Sequence, residues 1–264
     1  MYFTEKIVWI TGASSGIGEA MAYQFAAENA RLIISSNNSE ELEKVKTNCL
    51  KTCSQCDAIF IDLEKPESIK EAFDRVMTIT PKIDVLVNNG GVSQRTLFVD
   101  TSMEIFRKIM EINLFGAVLL TKYVLPVMLK NGGGHIVATS SISGKFGFNL
   151  RSAYAASKHA LHGFFESVRL ENYKENIRVT IVCPGRVRTN ISLNALTADG
   201  KAHGKMDDGQ DGGITAESCA KQILRAIRKN KKEVLIGGKE LLMVHFKRFT
   251  PFIFNRIIRK IKPT

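Results

Sequence analysis

Residues 6–18 read KIVWITGASSGIG, and the order of parts within this stretch decides the fold. Ile7 to Ile10 form an unbroken apolar run of β-formers, as expected of a strand buried on both faces rather than one. The run stops at the glycine-rich turn Thr11–Gly18, and Ile17, Ala20, Met21 and Phe25 then recur at helical spacing. Gly12 allows the tight turn, Gly16 lets backbone approach a phosphate, and Gly18 lets helix and strand pack closely. A strand passing through such a turn into a helix aims free backbone N–H groups and the positive helix end at an anion. The expectation is a dinucleotide pyrophosphate seated on this turn, beside Ser14, Ser15 and Ile17.

Outward from this unit, strands and helices alternate to the end of the chain. Strands are expected at 31–35, 58–63, 83–89, 135–140, 177–185 and 233–237. Between them come a helix with Ser39 as N-cap, one opened by Pro66, and a long one from Thr101 with Ile105, Ile109 and Ile112 on one face. A further helix carries Tyr154 and Lys158 and runs to about Tyr173. The pattern predicts a single doubly wound α/β domain with a seven-stranded parallel sheet in the order 3-2-1-4-5-6-7. Its site is expected at the carboxyl ends of strands four to six. Residues 190–213 hold five glycines and almost no periodicity, and are expected to form a lid over the site.

The 264 residues suffice for one large α/β domain. The net charge of +11 is unevenly placed: residues 221–264 hold 13 of the 37 Lys and Arg against only Glu233 and Glu240, which accounts for all of it. Such a tail suits an anionic surface, whether membrane headgroups or nucleic acid, or serves as a solvated solubilising face. Nucleic acid is not expected, because the tail offers only Phe246, Phe249, Phe252 and Phe254 as aromatics and no recognised module. The first strand begins almost at once, so no signal peptide or anchor is expected. No apolar run of about 18 residues is read, so neither is a spanning helix. A disulfide framework is not expected from five cysteines. Cys49, Cys53 and Cys56 cluster without the partners that would complete a zinc site, and read as inert thiols. His159 and His162 share a helix face and read as packing, so no metal is expected.

The chemistry is carried by Tyr154 and Lys158, four apart in "SAYAASKHAL", with Ser141 thirteen residues earlier. A tyrosine with a pKa near ~10 is a poor acid. A lysine one helical turn away lies on the same face and favours the phenolate, which brings proton exchange with a carbonyl or alcohol oxygen toward neutral pH. Together with the glycine turn, this points to hydride transfer on a nicotinamide cofactor.

"TGASSGIG", "NNGG" (88–91), Asn113, Ser141, "YAASK" (154–158) and "PGRVRT" (184–189) follow the order and spacing of the short-chain dehydrogenase/reductase family. The chain resembles that family over roughly residues 5–240. The resemblance implies a Rossmann fold in which Tyr154 is general acid in reduction and base in oxidation. It implies that Lys158 lowers the Tyr154 pKa and binds the nicotinamide ribose, that Ser141 holds the substrate oxygen, and that Asn113 holds a proton-relaying water. Pro184, Gly185, Val187 and Thr189 would shape the nicotinamide pocket, Asp62 and Leu63 would contact the adenine, and Asn89, next to Gly90, the adenosine ribose. The family usually reads NNAG where this chain has Asn88-Asn89-Gly90-Gly91.

Cofactor choice rests on Ser36, Asn37 and Asn38 after strand two. No carboxylate is placed there for a ribose 2′-OH, and three hydrogen-bonding side chains could meet a 2′-phosphate, so NADP(H) is expected, with NAD(H) as the alternative. The arginine common in NADP binders is missing. Within the family, "SLNALTADGKAHGKMD" and "KKEVLIG" resemble the dehydrogenase/reductase member 7 group, near the 11β-hydroxysteroid dehydrogenase type. That implies a lipophilic carbonyl or secondary-alcohol substrate, steroid-, retinoid- or lipid-like, and a homodimer or homotetramer. Residues 1–238 read as the dinucleotide-binding catalytic domain and 239–264 as a basic amphipathic extension. In it, 252–262 place Ile253, Ile257 and Ile261 on one side, with Arg256, Arg259, Lys260 and Lys262 between them. This is expected to touch a membrane from a cytoplasmic protein, or to pack over the substrate pocket. The alternative function is a catalytically silent, dinucleotide-binding or membrane-associated regulator.

Overall fold

The computed structural model describes residues 1–261; Lys262, read above as part of the basic tail, lies outside them. Seven parallel strands form the main sheet: β1 (Ile7–Thr11), β2 (Arg31–Ser36), β3 (Cys56–Phe60), β4 (Val85–Asn88), β5 (Gly134–Thr139), β6 (Ile177–Pro184) and β9 (Glu233–Ile236). Their order is β3-β2-β1-β4-β5-β6-β9, as the alternating sequence predicts. The short strands β7 (Val187–Arg188) and β8 (Ile214–Thr215) pair separately, after the sheet's carboxyl edge.

Alternate side chains of each buried strand feed two different cores. Val8 and Ile10 join the side packed by α1 (Gly16–Ala26), α2 (Ser39–Cys49) and α8 (Ala216–Arg228). Ile7 and Trp9 join the side packed by α3 (Pro66–Ile79), α5 (Gly116–Lys130) and α6 (Ser152–Glu171). Both faces are covered, so the strands read as continuous apolar runs. Register brings the carboxyl ends into line: Thr11 lies beside Ser35, Asn88 beside Ala138, Thr139 beside Val182, and Pro184 beside Ile236.

Several boundaries differ from the sequence expectation. The N-cap of α2 is Asn38, not Ser39: its side chain accepts from the Glu41 N–H at 3.1 Å. Strand β3 starts at Cys56 and ends at Phe60, because Cys56 still pairs with Leu32 on β2 and the chain turns where Asp62 accepts from the Glu64 N–H. The helix expected from Thr101 is capped by Ser102 and is not uniform. It runs as α4 (Met103–Met110), a π-helical turn at Glu111–Phe115, then α5. Such π turns recur at functional positions, and this one carries Asn113.

Within Met103–Lys130 an 18-residue window reaches a mean hydropathy of 1.7, so this helix is long and apolar enough to cross a membrane by length and composition, contrary to the expectation from apolar runs. Most of its charged residues, Glu104, Arg107, Lys108 and Glu111, lie in the first turns, ahead of the apolar part. Leu120, Val124 and Met128 are fully buried against the sheet. The chain ends in α9 (Leu242–Phe249) and α10 (Pro251–Ile258), which follow a turn at Lys239–Leu241.

Candidate active site

A single cavity of about 1030 Å³ opens along the carboxyl ends of the sheet. Every residue assigned above to the cofactor lines it except Gly18, as do Ser141, Tyr154 and Lys158. Gly18 lies beneath: a Cβ there would sit 2.1 Å from the Gly12 carbonyl oxygen, so only glycine lets the helix close on the turn. Gly12 has φ +63° and faces Gly90, where an added Cβ would come within 2.6 Å of Cα. Thr11 holds the two loops together: its hydroxyl accepts from the N–H groups of Asn89 and Gly90, each at 3.1 Å. Asn89 donates back to the carbonyls of Thr11 and Gly12.

The cradle fits a dinucleotide pyrophosphate. Ser15, the N-cap of α1, makes no side-chain capping bond, so the helix's first N–H groups face the cavity uncapped. Thr139 Oγ1 is buried on the cavity wall with no hydrogen-bond partner among the described residues. The departure at Gly90 also has a local reason: a Cβ there would meet Leu63 Cδ1 at 2.5 Å. At Gly91, where the family pattern is kept, a Cβ would meet Asn113 Oδ1 at 2.9 Å.

At the other end, Ser141 follows β5, and Tyr154 and Lys158 project from α6; all are buried. Lys158 Nζ donates to the Thr139 carbonyl at 2.8 Å and stands 5.7 Å from the Tyr154 ring centroid. Burial lowers the Lys158 pKa to about 8. Burial pushes the Tyr154 pKa up, opposed by a hydrogen bond with Ser141 and by the charges of Arg151 and Arg95. The sequence expectation gave the lowering to Lys158; here Ser141 and two arginines supply it. Asn113 accepts from the Val92 N–H at 2.8 Å and donates to the Val92 carbonyl and Ser157 Oγ, which fixes the loop after β4.

Sequence reading missed three sets of lining residues. Asp207, in the 190–213 segment, pairs with both Arg95, beyond β4, and Arg151, the N-cap of α6 (2.9 Å to Arg151). Both Arg95 and Asp207 are buried. A second anchor is the Arg95 N–H, which donates to Leu196 O at 2.9 Å. Glu240 accepts from the backbone N–H of Arg186 at 2.8 Å, which ties the C-terminal segment to the turn after β6. The apolar wall comes from Phe146, Phe148, Met243, Ile258 and Ile261. None of these has a local motif; each is brought in by tertiary contact.

Glu19 and Glu41 line the cavity with Ser36, Asn37 and Asn38. No carboxylate was read at strand two itself, and none is there. These two come from α1 and α2.

A glycine turn at one end of a cavity and a buried Ser–Tyr–Lys set at the other define a dinucleotide-dependent oxidoreductase. A family model described as short chain dehydrogenase matches residues 6–199. The chain belongs to the short-chain dehydrogenase/reductase family, whose members oxidise CH–OH groups or reduce the corresponding carbonyls with a nicotinamide cofactor. It is 40% identical over 265 residues to dehydrogenase/reductase SDR family member 7B of Bos taurus, covering 97% of this chain and 81% of that protein. It is 39% identical over 262 residues to dehydrogenase/reductase SDR family protein 7-like of Drosophila melanogaster, covering 97% and 80%. Among solved structures, it superposes with a TM-score of 0.84 on a short chain dehydrogenase/reductase from Burkholderia phymatum in complex with NAD, at 20% identity, covering 100% of this chain and 98% of that one. Levodione reductase follows with a TM-score of 0.80 at 26% identity, covering 90% and 98%.

Proposed function

We propose that the protein reduces a lipophilic ketone to a secondary alcohol, reversibly, with NADP(H) as the preferred cofactor and NAD(H) as a weaker one. The observation that carries this reading is the placement of Tyr154, Lys158 and Ser141 against an apolar wall, in the cavity that the glycine turn shares. The bound nicotinamide supplies the hydride; the rest is the work of this chain's own residues. Tyr154 gives its proton to the carbonyl oxygen, and Ser141 donates a hydrogen bond to the same atom, favouring the charge that develops there. Ser141, Arg151 and Arg95 favour the phenolate left behind, and Lys158 holds the nicotinamide ribose. Asn113, engaged with Val92 and Ser157, holds the loop at Gly91 close against Lys158, where a Cβ on Gly91 would stand 3.5 Å from Nζ; the water relay expected of it would start from its remaining lone pair. Pro184, Gly185, Val187 and Thr189 form the nicotinamide side, Asp62 and Leu63 the adenine side.

Ser36, Asn37 and Asn38 support NADP(H), but the preference is small. Asn38 is spent on capping α2, and Glu41 lines that end of the cavity. Residues 190–213 act as a lid on the catalytic unit 1–238, and 239–261 as a strap over the apolar wall. The tail's apolar side is divided. Phe254, Ile257, Ile258 and Ile261 pack toward Phe146, so Ile257 and Ile261 turn inward rather than to a membrane. Leu242, Phe249 and Phe252 stay exposed beside Lys247, Arg248 and Arg256. That remaining surface supports peripheral contact with an anionic membrane from the cytoplasmic side. A homodimer or homotetramer is the proposed assembly. The test is absorbance of NADPH and NADH against a panel of steroid-, retinoid- and lipid-like ketones. Turnover of at least one is expected; cofactor binding without any turnover would favour a silent regulator.

A further inference from the structure

A cluster outside the cavity, behind the sheet's carboxyl edge, has no part in this chemistry. His162 on α6, Cys183 on β6 and Glu233 at the start of β9 each offer one ligand atom, and these atoms lie within 4.8 Å of one another. The His162 ring is the hub. Its Nε2 is 3.6 Å from Cys183 Sγ, and its Nδ1 is 3.5 Å from Glu233 Oε2. A cation already stands among them: Lys145 Nζ lies 2.5 Å from Glu233 Oε2 and 3.2 Å from His162 Nδ1. Cys183 is fully buried, whereas Glu233 and Lys145 keep 35% and 23% of their side chains exposed, which gives an ion a way in.

We propose that His162, Cys183 and Glu233 form a binding site for zinc or a similarly soft divalent cation, with Lys145 as the competing occupant of the empty state. The sequence reading treated His162 as packing; its place between a thiol and a carboxylate argues otherwise. Thiolate, imidazole and carboxylate are the zinc donor set, and three protein ligands leave a fourth position for water. Ligands about 2.0–2.3 Å from a tetrahedral ion stand roughly 3–4 Å apart, as His162 Nε2 and Cys183 Sγ already do at 3.6 Å; Glu233, now beside Nδ1, has to swing its exposed carboxylate to that edge of the ring. Binding forms a metal–sulfur bond, releases the Cys183 proton to solvent and moves the Lys145 ammonium outward. The three ligands sit on a helix and two strands, so occupancy ties α6 to the sheet edge.

Cobalt(II) titration of the full chain reads the site directly, since only thiolate ligation gives a sulfur-to-cobalt charge-transfer band. Saturation at one equivalent is expected, with zinc displacing the cobalt and raising the thermal unfolding midpoint. Cys183→Ser should abolish the band. Glu233→Gln, at an exposed position where misfolding is not a concern, should weaken zinc about tenfold in a chelator competition. Lys145→Met should tighten it, because the competing ammonium is gone. Absence of the band in the wild-type chain overturns the proposal. So does a band that survives Cys183→Ser, which would place the metal at Cys49, Cys53 and Cys56, or an affinity unchanged in Glu233→Gln.

Discussion

The ammonium of Lys158 donates to the Thr139 carbonyl at 2.8 Å while standing 5.7 Å from the centre of the Tyr154 ring. Both residues are buried and lie one turn apart on α6, so the lysine is held by the end of β5 rather than by the tyrosine beside it. This makes Lys158 a buried cation with one neutral partner, and its protonation becomes a stability term.

Burial lowers the Lys158 pKa from 10.5 to about 8, so the unfolded chain binds that proton more tightly. Between those two pH values the unfolded state carries more protons, and stability must rise with pH. Below the window, folding bears the full cost, on the order of 3 kcal/mol. Denaturant unfolding of the wild type minus that of Lys158→Met isolates this group. The difference should move in favour of the wild type as pH rises from 8 toward 10.5; a flat difference contradicts it.

Asp207 shares its carboxylate between Arg95 and Arg151. Asp207→Asn leaves two buried guanidinium groups facing each other beside Tyr154, at a cost of about 3 kcal/mol. The 190–213 segment should become sensitive to limited proteolysis, and KM for a lipophilic ketone should rise. Wild-type protease resistance in this variant would show that the lid is held elsewhere.

The cofactor preference turns on Asn37. NADPH should bind more tightly than NADH by less than about tenfold, and Asn37→Arg should add roughly tenfold through a charge-assisted phosphate contact. Fluorescence titration with both cofactors checks this. Tighter binding of NADH by the wild type would reverse the assignment and implicate Glu41.

The tail separates into covering and exposed side chains. Phe249→Ala with Phe252→Ala removes two of the exposed apolar groups, 72% and 74% accessible, and leaves Phe254, Ile257 and Ile258 in place. Sedimentation with anionic liposomes should fall several-fold while turnover of a small soluble ketone is unchanged. Equal sedimentation would leave the basic charge, screened by salt, as the only attraction.

The sheet was legible because its signals are local. Ile7–Ile10 running into Gly12, and the apolar runs of the other strands, state burial and direction without reference to anything distant. The Tyr154–Lys158 pair was legible for the same reason, being one helical turn. What escaped is non-local. Arg95 and Asp207 are 112 residues apart, and nothing near either one in sequence announces the other. Glu240 reaches the Arg186 backbone across 54 residues. The lysine's hold on Thr139, 19 residues earlier, depends on how α6 lies against β5. The inward turn of Ile257 and Ile261 likewise required Phe146 to be in place before the helix face could be assigned.

The central claim is that Tyr154 supplies the proton. Tyr154→Phe removes one hydroxyl from a buried ring and nothing else. The direct measurement is kcat for reduction of a ketone found in the panel, alongside the Kd for NADPH, in the wild type and this variant. In the variant kcat should fall at least about 100-fold while Kd changes less than about twofold. A variant that keeps a tenth or more of wild-type kcat, with normal cofactor binding, would mean that another group protonates the substrate.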